Sequence, residues 1–131
     1  MRKLAVIFLA ALAANFLWEN LHASLYVHYQ GGEISEWILV RAALFDAVSI
    51  TVLGFLFLRI RFLRERLWLA FVIGIVFAIS LEWWAFATGR WAYQSSMPII
   101  PFIGTGLTPT IQLGLIAYLI FLLVLGKNRK S

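Results

Sequence analysis

Glu19, Asp46 and Glu82 carry most of this chain's capacity for chemistry, because each interrupts an apolar run long enough to cross a bilayer. An ionisable side chain at membrane depth costs at least ~2.5 kcal/mol on insertion scales, so it is expected to face a bundle interior or a water-filled cavity and to work there. Three of the six acidic residues are placed this way. Carboxylates gathered in one place support acid–base chemistry. One kept protonated is a general acid, while an ionised neighbour serves as base or stabilises a cation. Other chemistries lack their residues: there is no serine nucleophile elbow, phosphate-binding glycine loop or HExxH. Cysteine is absent, which removes disulfides, thiolate catalysis and Cys-ligated metal. Glu19-x-x-His22 has the spacing of a di-metal bundle motif but occurs once, without a second such pair, so no metal and no cofactor is expected.

The spacing around the acids points to shared faces. Asn15, Glu19, His22 and Tyr26 follow i, i+4, i+7 and i+11, one stripe of a helix. Asp46 and Ser49 are one turn apart; Ala78, Glu82 and Ala85 alternate small and acidic, letting a neighbouring backbone approach. Thr105, Thr108 and Gln112 align likewise. At 1.5 Å per residue, Glu19, Asp46, Glu82 and Gln112 all fall roughly 8–14 Å below the outer surface. The expectation is one outward-opening pocket with Glu19, Asp46 and Glu82 as catalytic residues and Asn15, Trp18, His22, Trp83 and Gln112 as substrate-binding ones. Trp18, Trp83, Trp84 and Phe86 would suit an apolar substrate passing through cationic intermediates, which aromatic faces stabilise. The plainer alternatives stay open. Asn15, Ser49, Thr108 and Gln112 also suit interhelical hydrogen bonding at roughly 0.6 kcal/mol apiece. The aromatics suit packing, and Arg41 suits snorkelling or pairing with Glu36 or a core carboxylate.

The elements that must position these residues follow from composition. With 63% hydrophobic and 13% charged residues, the chain departs far from the soluble norm of roughly 25% charged. Four stretches have the roughly 20-residue length a bilayer demands: about 4–26, 37–58, 67–88 and 107–125. An all-α, four-transmembrane-helix bundle is expected, one domain over 1–131, with a long outer loop between the third and fourth helices. That loop, 89–106, is too apolar for disorder and reads as a lid over the outer mouth or as an interfacial loop with Trp91 and Tyr93 at headgroup level. The start, Met1-Arg2-Lys3 before an apolar run, imitates a signal peptide but is expected to be retained as the first helix.

Net charge is +5, and its distribution decides what it means. Arg2, Lys3, Arg59, Arg61, Arg64, Arg66, Lys127, Arg129 and Lys130 all fall on one side of a four-crossing chain. The positive-inside rule then puts both termini in the cytoplasm, in a bacterial or archaeal cytoplasmic (inner) membrane. The basic runs meet anionic membrane lipids, and no nucleic-acid partner is expected.

Asn15-Phe16-Leu17-Trp18-Glu19 resembles the Asn-x-x-Trp-Glu motif of the integral-membrane terpene cyclases of meroterpenoid biosynthesis, and Leu44-Phe45-Asp46 is similar to an intramembrane Asp segment of those enzymes. The resemblance implies protonation of an epoxide or alkene by Glu19 and Asp46. Those enzymes have more helices than four, so a homo-oligomer would have to supply the rest. The stretch from Glu82 to Gln112, with Gly89-Arg90-Trp91-Ala92-Tyr93 and Gly106-Leu107-Thr108-Pro109, is similar to small carotenoid-cyclase-like membrane proteins. The leading expectation is a cyclase-, isomerase- or hydratase-like enzyme acting on a lipophilic, isoprenoid-like small molecule. A dimeric proton-coupled transporter and a non-catalytic lipid-binding or assembly subunit are the competing classes.

Overall fold

The computed structural model describes residues 2–126. Four helices are long and apolar enough to cross a membrane: α1 (Arg2–His22), α2 (Glu36–Arg59), α4 (Leu69–Ala87) and α5 (Leu107–Val124), with a single short turn of helix, α3 (Arg61–Arg64), joining α2 to α4. Length and composition make this an integral membrane protein, since only a helix satisfies its own backbone in lipid. The spans expected from sequence shift by a few residues. The largest change is at the end of α1, which stops at His22 and leaves Tyr26 outside it.

The fold is not purely helical. Beyond a 3₁₀ turn at Ala23–Leu25, β1 (Tyr26–Tyr29) pairs antiparallel with β2 (Trp91–Tyr93), Tyr26 opposite Tyr93 and Tyr29 opposite Trp91. Aromatic and β-branched residues favour such a ribbon, and the Tyr29 and Trp91 rings stack 6.2 Å apart. Part of the expected long loop is therefore strand. The remainder closes on itself through Ile100 N–H to Thr105 O (2.9 Å) and Leu107 N–H to Pro98 O (2.7 Å). Met97 is tucked under it, and Phe102 projects fully from it at φ 69°. This cap covers the end of the bundle where α1 finishes and α2 begins, here called the cap end.

The helices form an arc in the order α2, α1, α5, α4, with α5 the most buried. Glycine sets its tightest joint: a Cβ on Gly74 of α4 would lie 2.3 Å from Gly114 Cα of α5, so the two backbones touch. That crossing draws α4 onto α5, while α2 is held by α1. The seam between α2 and α4 is left loosely packed. The half of the bundle away from the cap is filled by Ile7, Ile50, Phe57, Leu67, Phe121 and Leu125, all but fully buried, with the Phe57 and Phe121 rings 5.2 Å apart. At its basic edge Arg61 Nε donates to Glu65 (2.7 Å) and Arg66 lies 4.1 Å over the Phe62 ring. Lys127, Arg129 and Lys130 lie outside the described residues.

Candidate functional site

The site grows from Gln112, one turn and a half into α5 and buried. Its Nε2 lies 3.0 Å from each of three oxygens: Asn15 Oδ1, Glu19 Oε1 and Asp46 Oδ2. The amide orientations follow from the chemistry. Asn15 Nδ2 donates to the Ala11 carbonyl at 2.7 Å, so its oxygen faces Gln112, and only the NH₂ end of Gln112 can meet that oxygen. Three helices are tied to one nitrogen. An amide carries two protons, fewer than its three oxygen neighbours here. The Glu19 and Asp46 carboxyls are thus brought side by side on the one Gln112 nitrogen.

His22 extends this network. Its Nδ1 is 2.9 Å from Thr108 Oγ1 and its Nε2 is 3.1 Å from Glu19 Oε2. The Thr108 hydroxyl directs its proton to Met97 Sδ (3.5 Å), which leaves its lone pairs to accept Nδ1–H. Nε2 therefore faces Glu19 as the exchangeable position, and a proton can pass between imidazole and carboxyl along 3.1 Å.

Glu82 has its own donors. Tyr26 OH (3.1 Å) and Tyr93 OH (2.8 Å) reach Oε1, and Trp91 Nε1 (2.6 Å) reaches Oε2. The Tyr93 oxygen in turn accepts the Gly106 N–H at 2.9 Å. A Cβ on Gly106 would lie 2.7 Å from Met97 Sδ, so a larger residue there would displace the Met97 side chain. Both phenols sit outside the membrane-spanning segments, and burial, reinforced by the nearby Glu82 charge, pushes their pKa values well above the ordinary tyrosine range. They stay protonated donors. Three donors therefore converge on the two oxygens of one carboxyl.

Both groups border one cavity of about 350 Å³ between α1, α2, α4 and α5, with Glu19, His22, Asp46, Glu82 and Gln112 in its wall. Its apolar surface comes from Tyr26, Phe45, Phe77, Trp84 and Trp91, and its size falls within the ~300–1,000 Å³ of small-molecule sites. The residues expected from sequence are thus distributed unevenly. Glu19, Asp46, His22 and Gln112 come together, Asn15 supports Gln112 from behind, and Glu82 lies on the same wall inside a separate set of donors. Trp83 does not belong: it is exposed, and its Nε1 donates to the Ile103 carbonyl (3.0 Å), anchoring the cap. Trp18 packs against the core, outside the cavity wall, with its Nε1 enclosed and unpartnered. Ser49 donates to the Phe45 carbonyl at 2.9 Å and does not reach Asp46. Arg41 lines the cavity from an exposed position.

The residues that sequence reasoning left out of the site are Tyr93 and Trp91 as ligands of Glu82, and Phe45 and Phe77 as walls. Only the clustering of aromatics after Gly89 hinted at the first pair. No protein-family model, curated protein or solved structure matches this chain.

Proposed function

We propose that the chain is a membrane-embedded acid–base catalyst acting on a lipophilic, isoprenoid-like small molecule. The observation that carries this reading is the Gln112 amide holding Glu19 and Asp46 side by side at 3.0 Å, with His22 on the other Glu19 oxygen. Hydrogen-bond glue needs one partner per group, whereas this arrangement spends an amide, an imidazole and two carboxyls on one point of a cavity wall.

The chemistry needs no cofactor. The proton held between Glu19 and Asp46 passes to an alkene carbon or epoxide oxygen, and the electron pair of that π or C–O bond leaves an electron-deficient carbon. The faces of Trp84, Trp91 and Tyr26 stabilise the positive charge, and Glu82, held by three donors, is the nearby counter-charge. Loss of a proton from an adjacent carbon to the carboxylate pair closes the cycle as an isomerisation or cyclisation; capture by water, with the proton of the added water returning to the pair, makes it a hydration. His22, linked to Thr108, exchanges the Glu19 proton with water. Two carboxyls whose surroundings differ divide the acid and base roles in this way.

The proton-coupled carrier is the weaker reading. It requires the half away from the cap to open, and that half is filled by Ile7, Phe57, Phe121 and Leu125 with almost no exposure. The test compares lipid extracts from cells carrying the protein and cells carrying Glu19→Gln. A lipophilic product present with the first and missing with the second supports the enzyme. Identical extracts, with both proteins in the membrane, remove it.

A further inference from the structure

Past the carboxylates, the seam between α2 and α4 continues into a second cavity of about 310 Å³, walled by Val48, Val52, Leu53, Ile73 and Gly74. Phe77 and Leu113 border both cavities, so the two are successive parts of one cleft. Phe45 faces Phe77 across the seam, rings 6.2 Å apart and inclined by 29°. The pair is 48% and 38% exposed, which puts it on the lipid-facing surface of the seam. From Asp46 to Leu53 the cleft runs about 10 Å along α2 at 1.5 Å per residue. Over that distance its wall changes from carboxyl and amide to wholly apolar, the Ser49 hydroxyl being occupied by the Phe45 carbonyl.

What fits is set by shape and charge. A packed helix is ≈ 10–12 Å across, too wide for cavities of about 350 and 310 Å³ in the seam; one hydrocarbon chain is not, and the stacked Phe45 and Phe77 rings have to swing apart to admit it. Carboxyls at the closed end disfavour an anionic head and hydrogen-bond a neutral one. We infer that the cleft binds a single-chain, uncharged amphiphile, its head among Glu19, Asp46 and Gln112 and its tail along the α2–α4 seam, and that it enters sideways from the bilayer between Phe45 and Phe77. This rests on the lipophilic-substrate reading and adds where the substrate lies and how it arrives.

The absence of native cysteine makes the test clean. A double variant, Phe45→Cys with Phe77→Cys, is reconstituted in vesicles containing a long-chain prenyl alcohol with a diazirine at its tail end. Photolysis and peptide mapping should place adducts on α2 and α4 around Val48, Val52 and Ile73. Bridging the thiols with a short bifunctional reagent should lower that labelling on the order of tenfold, equivalent to ~1.4 kcal/mol. Val52→Trp, a filling change at a half-exposed position, should lower it similarly while leaving thermal unfolding unchanged. Glu19→Gln should still label in the cleft, because it leaves the tail's path intact.

Adducts spread over the outer faces of α1 and α5, labelling indifferent to the bridge, or photoproducts joining two chains at the seam would each overturn the inference. The two proposals fail separately. Turnover lost in Glu19→Gln with adducts elsewhere leaves the catalyst without this cleft; adducts in the cleft with no lipid altered leave the cleft without the catalyst.

Discussion

At the scale of single residues, the account turns on which groups hold protons. Gln112 Nε2 serves three oxygens at 3.0 Å, so Gln112→Leu strips a donor from Asn15, Glu19 and Asp46 together. Intramembrane hydrogen bonds average roughly 0.6 kcal/mol. The expected loss is therefore about 1–2 kcal/mol, read as a lower thermal midpoint in detergent, together with loss of activity. Glu19→Gln and Asp46→Asn keep shape and should cost about 1 kcal/mol or less, because each amide still donates and accepts. If either acid transfers the proton, turnover should fall on the order of 10²–10⁴. Tyr26 and Tyr93 make a second, pH-dependent case. Their folded pKa values lie above the ordinary value of 10.0, so above about that pH the unfolded chain loses phenol protons that the folded chain retains. Stability is then full below the unfolded pKa and falls as pH rises toward the folded values. Thermal midpoints followed upward from neutrality should show this decline, and Tyr26→Phe and Tyr93→Phe should each flatten it. Equal slopes in wild type and both variants would mean that the phenols are not buried against Glu82.

At the scale of elements, the arc of helices depends on the Gly74–Gly114 joint. Gly74→Ala introduces a Cβ 2.3 Å from the Gly114 Cα, backbone that no rotamer change can move aside. Overpacking of this kind costs typically 1–3 kcal/mol. The expected result is a lowered thermal midpoint from α4 being pushed off α5; an unchanged midpoint would mean the helices do not cross there. The small-residue spacing of Ala78, Glu82 and Ala85 was legible because a helix repeats its face every three to four residues, and all three are buried. The same periodicity brought Asn15, Glu19 and His22 into line, and with Gln112 it made most of the site readable. Tyr26 shows where periodicity stops. Its i+11 spacing suggested α1, yet it lies in β1 and reaches Glu82 from a strand. A ribbon of four and three residues separated by some sixty positions leaves no periodic signal, since its pairing is decided by tertiary contact. Trp83, expected in the pocket beside Trp84, lies outside the cavity wall for a different reason. Adjacent helical residues point about 100° apart, and nothing in the sequence says which one faces the cavity; it is Trp84, with Arg90 stacked 4.6 Å over it.

At the scale of the whole molecule, the charge distribution and the site lie at opposite ends. Arg59, Arg61, Arg64 and Arg66 gather at the end away from the cap, while the carboxylate cavity lies near the cap. The positive-inside rule predicts from this that the cap faces away from the cytoplasm. Single cysteines at Phe102, wholly exposed on the cap, and at Asn128 test this in intact cells. An impermeant thiol reagent should modify Phe102→Cys and spare Asn128→Cys; the reverse would invert the topology.

The central claim is that the Glu19–Asp46 pair delivers a proton to a lipophilic molecule. It is tested most directly with purified protein in vesicles containing an isoprenoid extract in heavy water. Mass spectrometry should find a lipid that gains carbon-bound deuterium, or an epoxide opened, only when protein is present, with the conversion surviving Trp83→Phe and lost in Glu19→Gln and Asp46→Asn. Conversion unchanged in both acid variants, or an alkene transformed with no solvent deuterium on carbon, would contradict the account.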